Sequence, residues 1–474
     1  MEKQPNPAAE KETSTLENPN RRNLFKMGAA ATALAATGGA AAFINYRVKG
    51  VPHDSFPVEI DDTVLTPFDQ RNSVFSYAIS QELQQQFPER NLAFAEELGI
   101  PDFTFTNIMQ SLKAHAQPNP AAWDNNTPGY RQIDWALCHA AVGPLDRYLA
   151  PLSKFGAPKT GEHTWEQLNL ATEQWQFESP ADASQHIKRA ACMFGADRVG
   201  ITHNDERWNY SPIYDPITST TYTWEDDFPF KPKTVIVLAF EMDYEAIRTA
   251  PSAVSAASVN NEYTEMSLVA GQLADFIRRL GYQAVASGND LGNNVAYSVA
   301  AGLGEGARNG TLIVPNFGSR VRTAKIYTDF DFVEYDKPRS FGIMEFCENC
   351  KRCAEQCPSG AISMDDKPSM APTYPGSERI EISWHGQKGV KKFYNDAKKC
   401  FKYWGDNGIG CVICIKACPW NKPDFWHHRL IDASNTVTTG FVHKLMTEAD
   451  ILFGYGNMEV DKAVDKFWLS DKEK

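Results

Sequence analysis

Eight of the ten cysteines in this chain fall between Cys347 and Cys418, and their spacing dictates what that stretch can fold around. Cys347, Cys350, Cys353 and Cys357 precede Pro358 in a C-x2-C-x2-C-x3-C-P run, the ligand spacing that wraps a 4Fe–4S cubane. Cys411, Cys414 and Cys418 precede Pro419 in a second run, and Cys400 upstream takes the place of its missing first ligand. In two-cluster arrangements the last cysteine of each run crosses to the other cluster. The spacing therefore predicts one cluster on Cys347, Cys350, Cys353 and Cys418, and a second on Cys400, Cys411, Cys414 and Cys357. The Cys400–Cys411 loop departs from the compact run. Such a chain moves single electrons.

Disulfides and zinc are the competing readings. Exported proteins carry disulfides, but cysteines two residues apart, repeated and closed by C-x3-C-P, suit a cubane better. Zinc sites pair two C-x2-C units without a third close cysteine or a terminal proline. Cys138 and Cys192 lie outside the pattern. Cys192, in an apolar helical stretch, reads as a small buried hydrophobe.

The amino terminus carries an address. Arg21 and Arg22 stand in Asn-Arg-Arg-Asn-Leu-Phe-Lys, ahead of an Ala/Gly-rich stretch from Met27 to Ile44. Large aliphatics are too few there for membrane insertion. Twin arginines before a mild apolar segment read as a Tat signal, residues 1–42, with Ala40-Ala41-Ala42 as a cleavage site. That route exports proteins already folded around their cofactors, which suits the cysteines. Beyond the leader no segment has 18 uninterrupted apolar residues. Apolar residues at 42% can build a sizeable core, and a net charge of −12 argues against a nucleic-acid surface.

Along the chain, residues 43–165 are rich in Pro, Asn and Gln with scattered aromatics and read as a wrapping or capping region. From 166 to 335 the pattern becomes α/β. Asp182–Phe194 reads as a helix that Asp182 can cap, and Arg198–Thr202 as a strand. Thr234–Phe240, an unbroken apolar run, suits a buried central strand. Met266, Val269, Leu273, Phe276, Ile277 and Leu280 form a helical stripe ending near Gly281. A strand at Gln283–Ala286, a Gly/Asn-rich loop at Gly288–Asn294, a helix at Val295–Leu303 and a strand at Thr311–Pro315 follow. The cysteine module takes 336–425, and 426–474 is a tail that must dock to be ordered. No G-x-G-x-x-G follows a strand, and neither G-x-x-x-x-G-K-[ST] nor H-E-x-x-H is present. The residues alone leave the electron acceptor unidentified.

Taken together, the twin-arginine leader, the α/β core and the segments FGIMEFCENCKRCAEQCPSGAI, GIGCVICIKACPWN and AGLGEGARNGTLIVPNFGSRVRTAKIYTDF resemble the reductive dehalogenases, the corrinoid and iron–sulfur enzymes of organohalide respiration, in particular tetrachloroethene-type members. The resemblance implies a nitroreductase-like corrinoid-binding core fused to a ferredoxin-like domain with two 4Fe–4S clusters. It implies a cobalamin-type corrinoid bound base-off, and no D-x-H-x-x-G motif is present to supply a lower histidine. By the same resemblance the site trio is Tyr263, Asn289 and Arg322, with Tyr263 the proton donor at the start of the striped helix. Gly288 and Gly292, with Asn289, would let backbone approach the corrinoid.

Without the resemblance, Tyr263 is a packing residue and Asn289 a turn residue. Arg322 is then a surface cation, with Arg320 and Lys325 as equal candidates. Trp123, Tyr130, Trp135, Trp175 and Trp208 are candidate walls of an apolar substrate pocket. The implied partners are a small organohalide, a membrane-anchor protein and a quinol-linked or other low-potential electron donor. A homodimer is compatible, and the protein would sit peripherally on the periplasmic side of the cytoplasmic membrane. Two other readings share these features. One is an epoxyqueuosine-reductase-like tRNA-modifying enzyme, against which the leader and the acidic balance tell. The other is an exported iron–sulfur relay without chemistry of its own.

Overall fold

The computed structural model describes residues 49–108, 127–147, 165–331, 333–377, 386–423, 443, 447–448, 451, 456 and 459–469. The twin-arginine leader and Trp123 lie outside the described residues.

The core is a four-stranded sheet clad by helices. Its elements in chain order are α1 (Pro180–Phe194), β1 (Arg198–His203), β2 (Thr234–Glu241), α2 (Ala253–Arg279), β3 (Ala284–Ser287), α3 (Asn294–Ala300) and β4 (Val321–Thr328). The strands lie in the order β1-β2-β4-β3, and every neighbouring pair is antiparallel. Side chains alternate between faces along a strand, so the apolar run of β2 feeds two cores. Val235, Val237 and Ala239 enter one cluster with Trp208, Tyr297 and Tyr327, while Ile236, Leu238 and Phe240 enter the other with α1 and α2. Full burial of both faces is why this strand shows no polar alternation.

Several local expectations are corrected. Helix α1 begins at Pro180, and its cap is Ser179, whose hydroxyl accepts from the Asp182 amide; Asp182 sits inside the first turn instead. Cys192, read as buried, is exposed on the outer face of α1. Thr311–Pro315 shrinks to Leu312–Ile313, which pairs with Glu305–Gly306 in a separate two-stranded ribbon outside the main sheet. Helix α2 runs far beyond its stripe, from a Ser252/Ser255 capping box to Arg279. Tyr263 therefore lies mid-helix, not at the start. The Ala-rich first turns of α2 let the helix Gln132–Arg147 pack close, with Trp135 and Cys138 buried against Ala253, Ala256 and Ala257.

The stretch before the core contains short helices at Val74–Ile79, Gln81–Gln86, Pro88–Leu98 and Phe105–Ile108. Their apolar side chains share a cluster with Ala397 and Phe401 of the helix Ala397–Asn407, so this segment packs on the cysteine module. The terminal helix Val460–Leu469 docks too. Val464 is fully buried with Ala246 and Val254, and the Trp468 indole donates to Asp134 at 2.7 Å. Among the described residues no helix is long and apolar enough to cross a membrane.

Candidate functional site

Two constellations stand out, and the strand period explains the first. On β4, Arg322 pairs across with Phe240 and shares its face, the face covered by α2. Tyr263 lies on the stripe that continues through Met266, Ala270, Leu273 and Ile277, and it packs half-buried on the same cluster. Helix and strand thus aim the phenol and the guanidinium at each other. Arg322 Nη1 donates to Tyr263 Oη at 3.4 Å, with the guanidinium 4.9 Å from the ring centroid. Asn289, from the loop after β3, donates through Nδ2 to the same oxygen at 2.9 Å. The trio meets at one atom.

Of the alternative cations, neither is on the surface. Arg320 is buried, paired with Glu241 and donating to the carbonyls of Met242 and Lys422. Lys325 is fully buried on the opposite face of β4, donating to Gly288 O at 2.9 Å and Asn294 Oδ1 at 2.6 Å. Arg322 is the remaining one, and its Nε is buried without a hydrogen-bond partner among the described residues. A Cβ at Gly292 would run into Tyr327 Oη and the Trp208 carbonyl, so close packing within the fold requires that glycine. At Gly288 an added Cβ would meet Met266 Cε at 3.2 Å.

The second constellation is the cysteines. Cys347, Cys350, Cys353 and Cys418 are all buried and line a small cavity with Phe346 and Trp420. Cys357, Cys411 and Cys414 are half-buried, and Cys400 is exposed as a residue, yet burial of its sulfur, with Cys411 and Cys357 close by, pushes the thiol up to about 12. Burial likewise raises Cys347, with Cys350 and Cys418 adding to the shift, and raises Cys414, with Cys400 and Cys357 adding. Cys400, Cys411, Cys414 and Cys357 lie near one another, and Cys414 also neighbours Cys353 and Cys418 of the first four. Among the described residues no three acidic, cysteine or histidine side chains close on a single metal ion; the four buried thiols instead ring a cavity.

The donor set fits 4Fe–4S clusters. Thiols this desolvated become thiolates only beside strong positive charge, which iron supplies. Asn309 Nδ2 and Trp420 Nε1, both on residues lining the cavity, are buried without partners among the described residues, as donors awaiting cluster sulfurs would be. Protein contacts brace this loop as well. Arg308, fully buried, donates to the carbonyls of Cys347, Cys350, Ser363 and Asp365 and stacks on Phe393. Glu305 Oε2 accepts from the amides of Phe341 and Ile343 at 2.9 and 2.8 Å, tying the core to the first turn of the helix Ile343–Asn349.

A second, larger pocket, partly open to solvent, abuts this group, with Ala307 in both walls. Its wall is mostly apolar: Phe56, Trp208, Val295, Val299, Gly306 and Phe393 contribute. At Gly306 an added Cβ would find only Val295 at 3.7 Å and would enter the free space. Among the described residues the Trp208 indole N–H is buried without a partner. This apolar space lies on the Trp208–Tyr297 face of the sheet, opposite the face that carries Tyr263 and Arg322. Asn293 lines it, and the next residue, Asn294, bonds Asn289. Of the aromatic candidates, Trp208 lines this space, Trp135 belongs to the α2 interface, Tyr130 donates to Pro251 O, and Trp175 is on the surface. Arg308, Glu305 and Asn294 are not singled out by the sequence, and Lys325 appears there only as an alternative to Arg322.

Residues 346–421 match the family model for a 4Fe-4S double cluster binding domain. The chain is 36% identical over 442 residues to a tetrachloroethene reductive dehalogenase of Desulfitobacterium hafniense, covering 80% of this chain and 79% of that one. A solved catabolic reductive dehalogenase superposes with a TM-score of 0.60 at 20% identity, over 88% of this chain and 50% of the other, so this chain spans about half the length of that structure. An epoxyqueuosine reductase of Lactococcus garvieae matches at 31% identity over 27% of this chain.

Proposed function

Since the chain belongs to the reductive dehalogenases, we propose that it replaces a carbon-bound halogen by hydrogen in a small organohalide, consuming two electrons and one proton and releasing halide. The convergence of Asn289 and Arg322 on the Tyr263 oxygen carries this reading. When bound, the corrinoid, supplied through the two clusters, provides the electrons for carbon–halogen cleavage. The protein's own residues handle the proton and the walls. Tyr263 Oη gives up its hydrogen to the carbon as the halogen leaves. Two N–H donors on that oxygen would hold the negative charge it carries once the hydrogen has gone to carbon. Phe56, Trp208, Val295, Val299, Gly306 and Phe393 line the apolar pocket beside the buried cysteines and would exclude water from that side of the clusters.

The eight cysteines would carry electrons inward. The half-exposed group of Cys400, Cys411, Cys414 and Cys357 is the side a donor can reach, and the buried group abuts the large cavity. The donor would be quinol-linked or another low-potential carrier, and Arg21 and Arg22 favour Tat export to the periplasmic face, with a membrane-anchor protein holding the enzyme there.

The test is anaerobic halide release driven by reduced viologen, scanned over chlorinated ethenes and halogenated phenols. A chloroethene substrate is expected. Holoenzyme loaded with iron and corrinoid that frees halide from none of them would sink the proposal.

A further inference from the structure

Behind Tyr263 runs a chain of hydrogen bonds whose direction is set by atoms able to act in one sense only. The Lys325 ammonium has three donors and no acceptor. Its neighbour in the Asn294 side chain, 2.6 Å away, must therefore be the carbonyl Oδ1. The other end of Asn294, Nδ2, faces the backbone carbonyls of Gly288 at 3.0 Å and Thr323 at 2.9 Å, which only accept. The orientation of this amide is thus determined from both sides, without appeal to where hydrogens were placed.

The next link follows. Asn294 Nδ2 has two hydrogens for three acceptors, so the longest contact, to Asn289 Oδ1 at 3.2 Å, shares a hydrogen. Asn289 turns its Oδ1 inward because its own NH2 there would face a second donor-only group. Its Nδ2 is then left to donate to Tyr263 Oη at 2.9 Å, where Arg322, again donor-only, arrives at 3.4 Å. The phenol oxygen receives on both sides. Its own hydrogen must point away from Asn289 and Arg322.

We propose that Lys325, acting through Asn294, is a positioning residue that polarises this chain, so that Tyr263 presents its hydrogen outward to the reacting carbon and leaves a phenolate facing two N–H donors. The proposal rests on Tyr263 being the proton donor. Asn289 is exposed, and a primary amide at such a site turns over unless something fixes it. With its oxygen toward Tyr263 it would accept the phenol hydrogen and hold it in the ground state. Burial pushes Lys325 down to about 7 while Asp290 opposes the shift; the two carbonyls beyond Asn294 preserve the polarity in either charge state. Alternation along β4 makes the device possible, placing Arg322 on one face and Lys325 on the other.

Asn294→Ala in the holoenzyme removes the link without adding charge. The expected result is a fall in kcat of about 10- to 100-fold, the worth of a hydrogen bond to a charged oxygen, with iron and cobalt content unchanged. The alkaline limb of kcat should move to higher pH as the phenolate loses its oriented donor, and the solvent deuterium isotope effect on kcat should grow. Lys325→Met should move both in the same direction by a smaller amount, since the Gly288 and Thr323 carbonyls still hold Asn294 Nδ2. A merely structural role would lower the plateau and leave both readouts in place; that outcome in Asn294→Ala overturns the proposal even where Lys325→Met does not fold. Tyr263→Phe separates the two ideas. Turnover by that variant would overturn the proton-donor reading itself, whereas an inactive Tyr263→Phe beside an unshifted Asn294→Ala overturns only the polarity.

Discussion

Tyr263→Phe deletes one oxygen and leaves the ring, so its effect can be worked out from the contacts. The ring stays half-buried on the α2 stripe, with the Arg322 guanidinium 4.9 Å from its centroid. Two N–H donors lose their acceptor, but Asn289 is exposed and water can replace the phenol there. The cost in stability should be about 0–1 kcal/mol, too small to move cofactor content. The reaction loses its proton donor, and a positioned general acid is worth about 100- to 10,000-fold, or roughly 2.7–5.4 kcal/mol of barrier. Stability and rate should therefore separate by several-fold in free energy. The assay is anaerobic halide release at saturating substrate, alongside iron, cobalt and thermal-melt measurements on the same preparation. Halide release within about threefold of the parent, with cofactors intact, would refute the assignment of Tyr263 as donor.

Cys400→Ser should cost iron at one cluster and spare the other, because the remaining seven thiols divide four and three; an unchanged four-iron spectrum at both centres would show that Cys400 is not a ligand. Glu262 is buried beside Glu265, and desolvation first, then that neighbour, pushes its carboxyl up from 4.5 to about 8. A carboxyl raised on folding binds its proton more tightly in the native state, so its contribution is intact below about pH 4.5 and is lost as pH climbs toward about 8. Glu262→Gln should then be more stable than the parent at about pH 8–9, by on the order of 1–4 kcal/mol, and no more stable near pH 5; melting curves that shift equally at both pH values would contradict this. Changing Arg21 and Arg22 together to Lys should hold the precursor in the cytoplasm, and unimpaired export would remove the Tat reading.

What could be read in advance depended on how local its cause was. Thr234–Phe240 was legible as a buried central strand because a run without polar residues has nowhere else to go. The β4 strand was missed as an element, since Arg322 and Lys325 interrupt its apolar pattern and only the sheet explains them. Cys192 misled for the opposite reason. Its neighbours are apolar, but α1 buries Ile187 and Ala191 and turns Cys192 outward. Resemblance picked out Tyr263, Asn289 and Arg322, but nothing along the chain indicated that one oxygen joins them.

By itself, then, the sequence determined the metal chemistry. Cubane ligation depends on short cysteine spacings, and a spacing of two or three residues is a property of the chain, whatever surrounds it. Only the tertiary structure decided which thiols are dry and which meet solvent, and which of three neighbouring cations reaches the phenol. Those outcomes depend on sheet faces and on groups more than twenty residues apart, such as Tyr263 and Asn289. The direction of the chain from Lys325 to Tyr263 belongs to the same class, because an amide's orientation is settled by its partners in space and not by its neighbours in the chain.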